Sequence, residues 1–301
     1  MMPDRKKSND SPGPRFADSL EERFARLCRE RPLPARESAG GADAGIHLYG
    51  EKTMHVLLKD VYCPDRTHQE VRLTPEHLRG TYRSLTDADT RRAPDYPVAD
   101  ILTPGGEIME VQTGSLYPLA RKIHFYLCAT GYRVTVIHPV IVCKWLRWID
   151  PQSGEVTAWR RSPRRGGLRD AAAEIYWMAP YLAEPRFSLR IPLLEAEETR
   201  LRDGWSRDGK KGSHRSELVP RGLLEEKVFS CPEDYAETFL PDEERLPSPF
   251  TAAQYARVSG IRGRATYGML RILSDLDFLL PGEAAKGRAR TWERRGTQER
   301  R

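Results

Sequence analysis

The residues best suited to chemistry lie in the stretch 98–113, VADILTPGGEIMEVQT. There Asp100 and Glu110 flank a Pro104-Gly105-Gly106 turn, and Gln112 follows two residues after Glu110. The pattern reads as two short strands joined in a hairpin. Strand side chains return to one face every second residue, so Glu110 and Gln112 point the same way, and a tight hairpin brings Asp100 opposite them. Two carboxylates converging from neighbouring strands make an oxygen-rich pocket for a hard divalent cation, Mg2+ or Mn2+. Upstream, Glu51, His55 and Lys59 recur at i, i+4 and i+8, with His47 extending the row. They share one helical face, a pattern that on periodicity alone also describes an ordinary solvated surface.

Positioning these groups requires a scaffold. Gly50 to Tyr62 has helical spacing, with Met54, Leu57, Leu58 and Val61 as its apolar face and Pro64 as its stop. Gln69 to Leu73 alternates like a strand, residues 75–95 read as a polar excursion, and the Asp100/Glu110 hairpin follows. Leu116 to Ala129 reads as a second helix, and the β-branched run Tyr132 to Val140 as one buried strand. Further strands are expected at 142–149, 155–161 and 187–194, with a helix at 168–182. The order helix, strand, strand, strand, helix, strand implies an α/β protein, a mixed sheet flanked by helices. Near the C-terminus, Thr251 and Gln254 have capping-box spacing, and a second helix from Gly263 carries Met269, Leu270, Leu273 and Leu276 inward. A basic hairpin over 278–293 completes the pattern of a small winged helix-turn-helix.

With motif and element order together, residues 46–150 resemble the nuclease core of the PD-(D/E)XK superfamily, which has a restriction-endonuclease-like fold. In that family an acid on one strand precedes an acidic-x-Lys motif on the next. Asp100, Glu110 and Gln112 stand at those positions, with Ala99 where the family name has proline. The Ala-Asp … Glu-x-Gln form also resembles a competence-protein branch. The resemblance implies metal ligation by Asp100 and Glu110, orientation of the attacking water by Gln112, and a supporting role for Glu51 and His55 on the first helix, with Glu51 a third carboxylate. Glutamine carries no charge where the family has lysine, so the cation is expected from Lys122 or Lys59.

The chain of 301 residues carries a formal charge of +6, a balance that favours polyanionic partners. Arg160, Arg161, Arg164 and Arg165 form the densest basic run. Arg262, Arg264 and Arg288 stud the winged segment, and all seven are candidates to meet DNA. Tyr117 is expected to pack at a helix start, and His124 and His138 to be core histidines. Five scattered cysteines without a C-x-x-C pair argue for a reducing cytoplasm and against a zinc knuckle. No apolar run is long enough to span a membrane, and no G-x-x-x-x-G-K-[ST] loop indicates ATP hydrolysis. The expected organisation is a flexible segment over 1–45, the nuclease-like domain over 46–200, a linker over 201–232 and a winged-helix-like domain over 233–301. The expected activity is Mg2+-dependent hydrolysis of DNA phosphodiester bonds in repair, recombination or defence, by a homodimer or within a larger assembly. The rival expectation is a DNA-binding regulator or scaffold with an inactive nuclease-like core.

Overall fold

The computed structural model describes residues 19–30, 49–79, 96–204, 212–282 and 289–296. The helices are α1 (Leu20–Glu30), α2 (Tyr49–Tyr62), α3 (Ala120–Ala129), the short α4 (Ala172–Ile175), α5 (Pro232–Phe239), α6 (Ala252–Ser259) and α7 (Arg264–Asp275). The strands are β1 (Gln69–Arg72), β2 (Val98–Leu102), β3 (Glu107–Val111), β4 (Arg133–Ile137), β5 (Val140–Ile149), β6 (Arg160–Arg161), β7 (Phe187–Gly204) and β8 (Gly212–Phe229). They are followed by β9 (Phe250–Thr251), β10 (Leu279–Pro281) and β11 (Thr291–Arg294). Within the N-terminal segment expected to be flexible, the apolar stripe Leu20, Phe24 and Leu27, which marks a candidate helix over Phe16 to Arg29, folds as α1 and buries Phe24.

The main sheet is mixed. β1, β2 and β3 pair antiparallel in that order, and β4 joins β3 and β7 in parallel. Side chains alternate between its faces as the pleat requires. Ile101, Met109, Val111, Ile137 and Leu194 pack with α1 and α2. Ile108, Val136, Leu189 and Ile191 pack on the opposite side with α3, the helical turns of 168–181 and α5 to α7. The protein is therefore α/β, with a mixed sheet between helical layers.

Two expectations need correction. The run Tyr132 to Val140 is not one strand, because it breaks at His138-Pro139 into β4 and β5, both of which then run parallel to β7. Proline has no N–H for the ladder, so a strand interrupts there. The expected linker over 201–232 is largely β8, which pairs antiparallel with β7 in a register running from Leu189↔Phe229 to Gly204↔Gly212. Its charged residues, among them Arg215, Glu217, Arg221 and the run Glu225 to Lys227, lie along a paired ribbon, which composition alone read as a solvated crossing. Within this ribbon Glu198 is wholly buried, 2.9 Å from Lys144 Nζ and 2.7 Å from Arg200 Nη2, with Arg215 Nε at 3.7 Å.

The C-terminal segment follows its capping signal. The Thr251 N–H donates to Gln254 Oε1 (2.7 Å) and the Gln254 N–H donates to Thr251 Oγ1 (3.3 Å), a reciprocal cap contributing about 1 kcal/mol. Gly260 ends α6 in the left-handed region at φ 75°. Strands β10, β11 and β9 form a separate three-stranded sheet in that order. Met269, Leu270 and Leu273 of α7 share one core with Leu189 and Phe229 of the main sheet.

Candidate active site

The candidate site forms where the β2–β3 ladder ends. Ile101 and Leu102 pair with Met109 and Ile108. One residue further on, side chains take over the hydrogen bonding. The Asp100 N–H donates to Glu110 Oε1 (3.4 Å), and the Val111 N–H donates to Asp100 Oδ2 (2.8 Å). Each strand thus presents a carboxylate into the gap and satisfies one of the backbone donors that the ended ladder leaves.

Helices from both faces of the sheet reach this corner. From α3, Lys122 Nζ lies 2.7 Å from Glu110 Oε2, and the Tyr126 hydroxyl donates to Glu110 Oε1 at 2.8 Å. From α2, His55 Nε2 lies 3.5 Å from Asp100 Oδ1. Also on α2, the buried Lys59 Nζ is 2.6 Å from Glu70 Oε1 on β1. Lys122 and Lys59, the two cations expected to stand in for the missing lysine, are therefore both engaged by acids at this corner.

The two central carboxylates differ in proton affinity. Burial, reinforced by the Asp100 charge, pushes the Glu110 carboxyl up to about 6 against the opposing pull of Lys122 and Tyr126. Burial acts in the same sense on Asp100, but the His55 ring, the Val111 N–H and Lys122 outweigh it and hold that carboxyl below its ordinary value. Burial and the neighbouring Glu110 drive the Tyr126 phenol far above its usual range, so it stays a neutral donor. Paired carboxylates with separated proton affinities, one of them under-neutralised, are what a bound cation would equalise.

Other candidates fall differently. The Gln112 amide nitrogen donates to the Ser115 carbonyl (2.9 Å), its N–H donates to Ile137 O (2.9 Å), and its own carbonyl accepts from His138 Nδ1 (2.8 Å). These bonds pin Gln112 into the loop after β3 and commit its amide N–H to that loop instead of to Glu110. Glu51 lies on α2, but its side chain is outside the described residues. His138 is buried, and burial lowers its pKa, consistent with a neutral core histidine. His124 and Tyr117 depart from expectation: His124 is exposed, and Tyr117 is 63% exposed, its ring edge-on to Trp177 at 4.7 Å. α3 presents His124 outward, away from its buried stripe of Ile123, Tyr126 and Leu127, and Tyr117 lies in the turn before that helix.

Sequence reasoning missed Glu70 and Tyr126. Glu70 adopts φ 54°, a left-handed conformation that costs a non-glycine residue about 1–3 kcal/mol. Lys59 holds its carboxyl below the usual range. Alternation marked Gln69–Leu73 as a strand but carried no sign of the left-handed turn. Tyr126 sits one helical turn beyond Lys122, a spacing that could have signalled it.

The arginines divide into three places. Arg160 stacks over Trp148 and Arg161 over Trp145, at 5.2 and 5.9 Å. Arg164, Arg165, Arg169 and Arg262 line one cleft of about 510 Å³ between the 162–170 loop and the α6–α7 turn. Gly166 allows this loop to close on β5, since a Cβ there would stand 2.2 Å from the Ile141 carbonyl oxygen. Arg264 opens α7 and is exposed, and Arg288 lies outside the described residues.

Among the described residues no group of three or more His, Cys, Asp or Glu side chains is spaced to hold a metal ion. Mg2+ does not need such a cage: it is commonly held by one or two carboxylates, with waters and substrate phosphate completing its shell. The Asp100/Glu110 pair fits that donor set. No described helix is long and apolar enough to cross a membrane.

Comparison with known proteins places residues 52–230 on the family model described as "Domain of unknown function (DUF8091)". That match contains α2 from its second turn, the main sheet and the whole acidic corner, and it ends two residues before α5. An uncharacterised protein of Treponema pallidum (strain Nichols) is 26% identical over 227 residues, covering 75% of this chain and 80% of the relative. No solved structure matches.

Proposed function

The chain belongs to the DUF8091 family, whose description names no activity, and from the site itself we propose that it is a metal-dependent DNA phosphodiesterase of the PD-(D/E)XK type. The observation that carries this reading is the interrupted β2–β3 ladder, where Asp100 and Glu110 face one gap with Lys122 beside them. The order α2, β1, β2, β3, α3, β4, with the four strands adjacent in that sequence, supports a restriction-endonuclease-like core.

Asp100 and Glu110 would hold Mg2+ or Mn2+, which when bound supplies Lewis acidity at the phosphate and makes water a competent nucleophile near neutral pH. Lys122 supplies the positive charge that Gln112 lacks, placed to steady negative charge accumulating on the phosphate. Tyr126 fixes Glu110 Oε1, and His55 orients Asp100. Gln112 acts as a positioning residue, through the loop that it ties between β3 and β4.

DNA as substrate is supported by the arginine-lined cleft and by the succession α5, β9, α6, α7, β10, β11. That order, with β10–β11–β9 as its sheet, fits a winged helix whose third helix, α7, presents Arg264. The rival reading, a regulator or scaffold with an inactive core, draws on one observation: both Glu110 oxygens already have partners in Lys122 and Tyr126.

The test is incubation with linear, nicked and branched DNA plus Mg2+ or Mn2+, beside Glu110→Ala and Asp100→Ala. Cleavage by the wild type alone supports the proposal. Calorimetry showing equal Mn2+ affinity in the wild type and both variants would sink it in favour of the rival.

A further inference from the structure

Every large aromatic side chain that is exposed among the described residues falls in one band. Tyr117 (63%), Tyr176 (42%), Trp177 (38%) and Tyr267 (63%) make up the set, while the other exposed large hydrophobics are the aliphatic Val156, Leu224, Val228 and Leu280. Three of the rings touch in series. Tyr117 meets Trp177 edge-on at 4.7 Å, and Trp177 meets Tyr176 at 5.8 Å. Tyr176 in turn lies against α7 at Gly268, where an added Cβ would stand 3.2 Å from its ring. Tyr267 is the adjacent residue on that helix.

The band begins beside the acidic corner. Glu174 Oε2 accepts from the Ser115 hydroxyl (3.0 Å) and from the Leu116 N–H (2.8 Å), and so ties the turn before Tyr117 to the helical segment that carries Tyr176 and Trp177. The same turn receives the Gln112 side chain. At one end the exposed Arg121 lies four residues from Tyr117, next to Lys122, and at the other the exposed Arg264 lies three residues from Tyr267.

Rings left in water at this density lack a structural explanation, because packing them inward is the default. Exposed rings with cations at both ends match the needs of an unpaired strand, with bases stacking on aromatic faces and phosphates meeting arginine. Protein interfaces also favour Tyr, Trp and Arg, so what selects a nucleic-acid arm is the band's position, starting at the turn that is tied to the acidic corner and ending beside the exposed Arg264.

We propose that Tyr117, Trp177, Tyr176 and Tyr267 form a stacking platform for unpaired nucleobases, which holds a single-stranded arm of a DNA substrate between the acidic corner and α7. The proposal rests on the nuclease reading for its choice of DNA, but its test does not depend on cleavage.

The experiment measures binding of the full chain in EDTA, by fluorescence anisotropy, to oligo(dT), a forked duplex and a blunt duplex. Trp177→Ala, Tyr117→Ala and Tyr267→Ala should each weaken oligo(dT) and fork binding by about 10-fold, with blunt-duplex affinity unchanged. Trp177→Phe and Tyr117→Phe should restore most of the loss, which a purely structural role for the indole or hydroxyl would not permit. Circular dichroism and melting identify any variant that fails to fold, and Tyr267→Ala, on an exposed helix face, keeps the test open in that case. Equal losses on single strand and blunt duplex, or no loss in any variant, would overturn the platform. So would an oligomeric state that changes with these substitutions while DNA binding does not, since the band would then seat a second copy. A wild type that binds oligo(dT) in this manner but cleaves nothing with Mg2+ or Mn2+ leaves the platform standing and removes the nuclease reading. Unchanged cleavage and binding of forks by the ring variants does the reverse.

Discussion

Two glutamates among the described residues are buried almost completely, and they have opposite fates. Glu198, in the β7–β8 ribbon, is 0% exposed, and Glu110, at the acidic corner, is 2% exposed. Burial pushes both carboxyls upward. At Glu198 the cations Lys144 and Arg200 reverse that push, and its pKa falls below the ordinary value. At Glu110 one lysine and the neutral Tyr126 hydroxyl must counter both burial and the Asp100 charge, and the pKa settles at about 6. Charge compensated within the protein marks a structural ion cluster. Charge left under-compensated beside a second carboxylate is where the proposed function would seat its cation.

The largest effect that would sharpen this contrast is on activity. Asp100→Ala or Glu110→Ala should reduce DNA cleavage below detection, while Glu198→Gln should leave Mn2+ affinity at the wild-type value. Cleavage assays and calorimetry on the three variants check this, and loss of Mn2+ binding in Glu198→Gln would erase the distinction.

On stability the order reverses. Glu198→Gln leaves Lys144, Arg200 and Arg215 around a neutral amide, and urea denaturation should register a loss of about 3–5 kcal/mol. Glu110→Gln should instead stabilise the metal-free protein at neutral pH. Because the folded pKa of Glu110 is raised, the native state holds more protons than the unfolded state between its ordinary 4.5 and about 6. Metal-free stability therefore falls as pH rises through that window, by about 2 kcal/mol in all. Denaturation in EDTA from pH 4.5 to 8 should show the fall in the wild type and its absence in Glu110→Gln. Asp100, whose pKa is lowered, contributes stability that is present above its ordinary value and lost as pH drops below it.

Within the corner, Lys122→Ala should lower the cleavage rate on the order of 10²-fold, and Gln112→Ala by less, because the Gln112 amide nitrogen is held by Ser115. The reverse ranking in single-turnover kinetics would return the leading role to Gln112.

The smallest expected effect concerns the arginines. Arg262→Ala and Arg264→Ala should each weaken duplex binding in proportion to the phosphates they neutralise. The slope of log affinity against log salt should become shallower by about 0.9 for every phosphate left without its arginine. Point variants are the right probe, because α5 to α7 share their core with the main sheet and a truncation would expose it. Unchanged salt slopes would assign the C-terminal segment to binding another protein.

Local rules made much of this architecture legible. Met54, Leu57, Leu58 and Val61 marked α2, the Pro-Gly-Gly turn marked the β2–β3 hairpin, and Thr251 with Gln254 marked the start of α6. Each signal is carried within a few residues of the feature it specifies. The β7–β8 ribbon was not legible, since its pairing joins residues up to 40 apart, from Leu189 to Phe229. A strand whose charges are neutralised by its neighbours reads locally as a solvated linker. The break at His138-Pro139 had its proline in view, yet the β-branched run around it dominated the pattern.

The candidate site divides along the same line. The sequence by itself determined that Asp100 and Glu110 would meet, because alternation and a short turn leave a hairpin little other choice. Only the tertiary structure decided what surrounds them. It brought Lys122 and Tyr126 from one face of the sheet and His55 from the other, set Glu70 in a left-handed turn against Lys59, and turned Gln112 into its loop. Those partners come from elements separated by loops and held by packing. Their distances follow from how helices seat on a twisted sheet, which no local spacing encodes.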